Sequence, residues 1–154
     1  MKSINTFADH APKIEWIQNF FEKGNEFFTD NTLGPMQISM FKRFLSDAKL
    51  AEKNKTTQFY DVVTRLGWES EEAWGLILVQ LAYQNPQIKW YIDNMPINET
   101  FPRQYLEDKL VEAEISSKDA KSILKAFKRL TEIPLGYVIN FGITENSGRQ
   151  ISSL

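Results

Sequence analysis

Few residues in this chain can carry covalent or metal chemistry. Cysteine is absent and histidine occurs once, as His10. Cys-ligated zinc, iron–sulfur clusters, thiol–disulfide exchange and a cysteine nucleophile are therefore excluded within the chain. A Ser-His-Asp triad would have to use His10, close to a terminus where order is least assured. Glu71-Glu72 and Glu107-Asp108 are adjacent pairs. Neighbours on a helix point about 100° apart, so neither pair makes an acid/base dyad unaided. Phosphate-binding glycine loops and the G-x-S-x-G nucleophile elbow are absent. What remains is charge: Lys118, Lys121, Lys125, Lys128 and Arg129 cluster roughly opposite an apolar stripe, with Asp119 the one acid among them. Such a face contacts nucleic-acid phosphates or an acidic protein, or is simply solvated, as lysine-rich outer faces usually are. Lys42 and Arg43 offer a fainter version of the same idea.

Helical elements must position that cluster. Pro12 and Gly24 bracket a first helix over about 11 to 23 with Ile14, Ile17, Phe20 and Phe21 inward. Gly34-Pro35 opens a second, with Met36, Met40, Phe41, Phe44, Leu45 and Ala48 on one side. After the polar Lys53-Asn54-Lys55, Thr56 or Thr57 caps a third, bearing Phe59, Val62, Val63 and Leu66 and stopped by Gly67. Ser70 with Glu71 and Glu72 starts a fourth. Its run AWGLILVQLAY is apolar around nearly the whole circumference, which predicts burial on several sides. Gly75 inside it predicts close approach by another helix or by the ring of Trp68, Trp74 or Trp90. Asn85-Pro86 ends this helix and opens a fifth, which Met95-Pro96 breaks.

The segment Met95 to Thr100 is the best internal boundary, so the chain reads as one domain over 1–154 or as two packed lobes, 1–95 and 96–154. Pro102 opens a sixth helix with Tyr105, Leu106, Leu110 and Val111 inward and Glu107, Asp108, Glu112 and Glu114 outward. Ser116-x-x-Asp119 is a capping box for the seventh, about 117 to 131, whose stripe is Ala120, Ile123, Leu124, Phe127 and Leu130. Alternation over Tyr137–Ile143, a Glu145-Asn146-Ser147-Gly148 turn and Gln150-Ile151 predict a terminal β-hairpin. The expected fold is mainly α, a bundle of about seven helices with winged-helix-like features and a small C-terminal β-hairpin. A helix, a tight turn, a basic helix and a hairpin follow the order of a winged helix-turn-helix.

Composition fits a globular chain: 154 residues, 42% hydrophobic, 25% charged, with 18 Lys plus Arg against 20 Asp plus Glu. No global field draws it to nucleic acid or membrane. The longest apolar run, Ala73 to Ala82, falls well short of the roughly 20 residues that span a bilayer, and residues 1–13 lack a secretory apolar core. No membrane contact and a cytoplasmic location are expected. Asn98-Glu99-Thr100 matches a glycosylation sequon by chance. The aromatic load, 13%, reads as core filling at helical spacing, while Tyr83, Trp90 and Tyr91 stand near the Asn85-Pro86-Gln87 corner as candidate lining of a groove.

Four stretches carry a family resemblance: MFKRFLSDAKLAEKNKTTQFYDVV at 40–63, LGWESEEAWGLILVQLAYQNPQIKWYIDNM at 66–95, ISSKDAKSILKAFKRL at 115–130 and PLGYVINFGI at 134–143. Together, over about residues 33–154, they resemble the region distal to the catalytic domain in large bacterial proteins of the phosphoadenosine phosphosulfate (PAPS) reductase family. The WGLILVQLAYQNPQIKWYI run is the most specific. The resemblance implies a non-catalytic C-terminal accessory domain of a longer PAPS reductase-like, sulfur-transfer protein, some of whose relatives look like DNA-modification proteins. The family's Ser-Gly-Gly-x-Asp nucleotide loop and reactive Cys are absent from this sequence, so no catalytic residue carries over, no cofactor is expected, and the chemistry would lie in the parent protein. The implied partner is the parent catalytic domain, another protein or nucleic acid. A freestanding winged-helix-type DNA-binding regulator is the alternative.

Overall fold

The structure, a computed structural model, describes residues 4–95, 100–139 and 150–152. The chain is mainly α. Seven helices of nine residues or more follow in order: α1 Ile14–Lys23, α2 Pro35–Asp47, α3 Gln58–Leu66, α4 Glu71–Gln84, α5 Pro86–Asn94, α6 Arg103–Glu112 and α7 Ser117–Leu130. A five-residue α8 spans Leu135–Ile139, and a 3-10 turn, Gly24–Phe28, follows α1. Two small antiparallel sheets complete it: β1 Ala51–Glu52 pairs with β2 Lys55–Thr56, and β3 Thr100–Pro102 pairs with β4 Gln150–Ser152.

The helix starts follow from local chemistry. The Thr57, Ser70 and Ser116 hydroxyls accept hydrogen bonds from the amides of Tyr60, Ala73 and Asp119, satisfying donors that have no intrahelical partner. Asn85 closes α4 and opens α5, its Oδ1 accepting from Gln87 N at 3.0 Å and Ile88 N at 3.1 Å. α6 ends without glycine: Glu114 takes a positive φ of 60° and Ile115 N returns to Leu110 O, the left-handed helix end that satisfies terminal carbonyls.

The aromatic residues fill the core. Phe20 is fully buried, with Phe21, Phe27, Phe28, Phe41 and Tyr60 around it at centroid distances of 5.2 to 6.2 Å. Phe21 is sandwiched between Tyr60 and Trp68, at 5.4 and 5.3 Å. Burial pushes the Tyr60 phenol above its usual range, and its hydroxyl donates to Phe21 O at 3.0 Å. Tyr91 of α5 meets Phe127 of α7 at 5.0 Å, joining the regions on either side of the 95–100 boundary. α4 packs against α2, α3, α5 and α8.

Residues 5–11 cross both halves. Thr6 Oγ1 donates to Asn85 Oδ1 at 3.0 Å, and Phe7 N donates to Gln87 Oε1 at 3.2 Å. Further along, Asn5 Nδ2 donates to Asp119 Oδ1, Ser122 Oγ to Asp9 Oδ1 and an Arg129 guanidinium nitrogen to Ala11 O, at 3.4, 3.0 and 3.3 Å. Thr6, Asn85 and Gln87 are buried polar residues, and a buried donor or acceptor costs about 1–3 kcal/mol if left unpaired.

Several expectations need correction. α1 begins at Ile14 with Lys13 as its N-cap, because Pro12 lies ahead of the helix and not in its first turn. Lys53 and Asn54 form a tight turn with φ of 51° and 64° between β1 and β2, a left-handed pair of the kind that closes two-residue hairpins. Met36, Tyr105 and Val111, expected inward, are exposed; on α6 only Leu106 and Leu110 are buried, since the helix meets the core along a narrow line. The 1–95 and 96–154 division crosses residues 96–99, which lie outside the described residues.

The expected strand at Tyr137–Ile143 begins inside α8, and its remainder and the turn at 145–148 lie outside the described residues. The predicted strand at Gln150-Ile151 is present but pairs with β3, at register Phe101 to Ile151. α8 is held by close approach. A Cβ on Gly136 would stand 2.9 Å from Thr131 Cα and O, so only glycine lets this turn fold back on the end of α7.

α4 differs most from expectation. Ala73, Trp74, Ile77 and Leu81 are buried, but Leu76, Val79 and Tyr83 are 42%, 50% and 80% exposed. Among the described residues Gly75 admits no ring or helix, because a Cβ built there meets nothing within 4 Å.

Candidate polyanion interface on α7

α7 is strongly two-faced. Ile123, Leu124, Ala126, Phe127 and Leu130 are buried, and the helical repeat carries Lys118, Lys121, Lys125 and Lys128 to the opposite side. All four are exposed. At 1.5 Å per residue the lysine ridge is about 15 Å long and spans about 80° of the helix circumference. None of the four enters an ion pair among the described residues.

The structure separates Arg129 from the lysines. Its guanidinium donates to Ala11 O, and it is only partly exposed. It belongs to the flank of α7 where Asp119 and Ser122 also bind residues 5–11. Asp119 thus gives its amide to the Ser116 cap and turns its carboxylate to Asn5, so the expected capping box is one-sided.

Beside the ridge, Lys13 brings a further cation from the start of α1. Lys13, Lys125, Lys128 and Arg129 line an open groove of about 410 Å³, to whose wall Glu15 and Glu132 also contribute. Lys13 is the functional candidate that the sequence did not single out, because a lone lysine at a helix start carries no signal until the fold sets it against α7. A second open groove, about 480 Å³, continues past Lys13 and Glu15 to Trp16 and Thr32.

Among the described residues no catalytic constellation assembles around these cations. His10 closes a turn by donating its amide to Phe7 O. Among the described residues no group of three or more His, Asp or Glu could hold a metal ion. Tyr91 is buried against Phe127 while Tyr83 stands out in solvent, so Tyr83, Trp90 and Tyr91 do not line a common groove. Lys42 lies 6.0 Å over the Phe28 ring and Arg43 reaches Asp47 at 3.7 Å, which ties the fainter basic pair of α2 to its own surroundings. Among the described residues Asp47 is the one carboxyl with a clear perturbation. Burial raises it above its usual value, against the hydrogen bond from Asn85 Nδ2 at 3.0 Å and the Arg43 charge, both of which lower it. No described helix is long and apolar enough to cross a membrane.

No protein-family model, curated protein or solved structure matches this chain.

Proposed function

We propose that this chain is a non-catalytic helical accessory domain that docks a negatively charged partner on the lysine ridge of α7. One observation carries the proposal: Lys118, Lys121, Lys125 and Lys128 stand exposed in a single line, free of ion pairs among the described residues, on a helix whose inner face anchors it in the core. Four cations in line match the regular charge of a nucleic-acid backbone, where lysines act as sequence-blind phosphate contacts. The resemblance to the distal region of PAPS reductase family proteins supports an accessory role beside a sulfur-transfer domain, with that domain or another acidic protein as the competing partner.

The alternative, a DNA-binding regulator of winged-helix type, draws support from the order β3, α6, tight turn, α7, with β4 pairing back to β3, although the short α8 stands between α7 and β4. That arrangement would set α7 as the recognition helix. Lysines on the long face of α7 favour backbone contact over base contact, which makes the accessory reading the stronger of the two.

Titration of duplex DNA at several salt concentrations tests both. Four phosphate contacts give a log–log salt slope of about −3.6, and replacing Lys121, Lys125 and Lys128 with Gln should remove most of it. Equal affinity for unrelated duplexes is expected of the accessory domain; selective binding identifies a regulator. Absence of duplex binding at low salt removes nucleic acid as the partner.

A further inference from the structure

The outer face of α4 is a second surface, and the lysine ridge does not account for it. Gly75, Leu76, Val79, Ala82 and Tyr83 lie within about 120° of arc, and no charged residue occurs from Ala73 to Ile88. Within this face are a knob and a hole. Tyr83 is 80% exposed, and Gly75 leaves an open notch that no described residue occupies. A helix-interior glycine is destabilising relative to alanine, and the packing of the described residues gives no return for it.

Gly75 and Tyr83 stand four residues to either side of Val79, about 12 Å apart along the axis. Gly75, Val79 and Tyr83 form one i±4 ridge, and two such ridges align when helices cross at about −50°. We infer that α4 is a self-association face: a second copy of this chain packs its α4 antiparallel to the first about a two-fold axis near Val79, and each Tyr83 ring enters the notch at the other copy's Gly75. The contact is isologous, so one knob and one hole per chain are both used twice.

Charge agrees with this occupant. The antiparallel sense holds the exposed Glu71 and Glu72 of the two copies at opposite ends, whereas a parallel pair would stack them. The exposed Val62 and Leu66 of α3, which packs on α4, add to the apolar side chains that these two helices leave uncovered.

Sedimentation of the full chain from about 5 to 500 μM tests the inference, a range that brackets micromolar association. A monomer–dimer equilibrium is expected. Gly75→Leu fills a notch with free space around it, and Tyr83→Glu places like charges in the contact; each should weaken the dimer about tenfold or more while leaving the helical circular dichroism unchanged. Val79→Cys, in a chain without native cysteine, should give a disulfide-linked dimer on mild oxidation. The Lys121, Lys125 and Lys128 to Gln variant should dimerise as the parent does, which keeps this test separate from the polyanion proposal. A monomer over the whole range, or a dimer indifferent to both Gly75→Leu and Tyr83→Glu, overturns the inference.

Discussion

α4 and α7 are each 14 residues long and bury one face in the same core, yet their outer faces are opposites. α7 turns lysines outward, so its sequence alone states which side meets water. α4 turns Leu76, Val79 and Tyr83 outward, so its sequence resembles that of a helix enclosed on all sides. The contrast teaches that an all-apolar sequence does not by itself enclose a helix within its own chain, since Leu76, Val79 and Tyr83 remain exposed. An amphipathic helix such as α7 needs no such enclosure, and its charges are available for recognition.

The sharpest test of the shared part of the comparison is on the inner faces. Trp74→Ala in α4 and Phe127→Ala in α7 should each cost about 3–5 kcal/mol, measured by urea denaturation; both side chains are almost wholly buried. A much smaller loss for either would show that the two helices are not equal members of one core. Next in size is a glycine pair of opposite sign. In dilute solution Gly75→Ala should stabilise the chain by about 0.5–1 kcal/mol, since an added methyl meets open space. Gly136→Ala should destabilise it by about 1–3 kcal/mol, since the methyl would meet the backbone of Thr131. If both changes destabilise, the notch on α4 is not open.

The smallest effect lies at the corner where α4 ends. Burial raises Asp47 in the folded state, so the folded chain holds this proton more tightly than the unfolded chain. Stability is then lost as pH rises above the ordinary carboxylate value of 3.8. Asp47→Asn should remove that loss, and its advantage over the parent should grow from pH 4 to pH 6 and remain below about 1 kcal/mol, because the Asn85 hydrogen bond and the Arg43 charge oppose the effect of burial. An advantage that shrinks with rising pH would instead assign the larger role to the Arg43 and Asn85 partners.

The helix order and most helix starts were legible because a cap is local: Ser70, Ser116 and the Asn85-Pro86 corner each carry donor, acceptor and spacing within four residues. The lysine ridge was legible for the same reason, since period and charge suffice to line up Lys118, Lys121, Lys125 and Lys128. Arg129 was grouped with them because sequence spacing cannot reveal that Ala11 O lies within its reach. Lys13 was passed over for the converse reason. The Thr6–Asn85–Gln87 contacts join residues about 80 positions apart, and polar residues near a Pro corner are read first as turn formers. Ile151 was placed correctly in a strand, but its partner Phe101 is fifty residues earlier, and the neighbouring alternating run was the stronger local claim.

Residues 5–11 also set an order of events in time. Their partners on α7 are 113 to 118 positions downstream, and closing so large a loop is entropically costly until the helices between are packed. During synthesis these residues are made long before Asp119, Ser122 and Arg129 exist to receive them. The segment made early is thus fastened in two stages, Thr6 and Phe7 reaching Asn85 and Gln87 once α5 is made, and the contacts to α7 closing last.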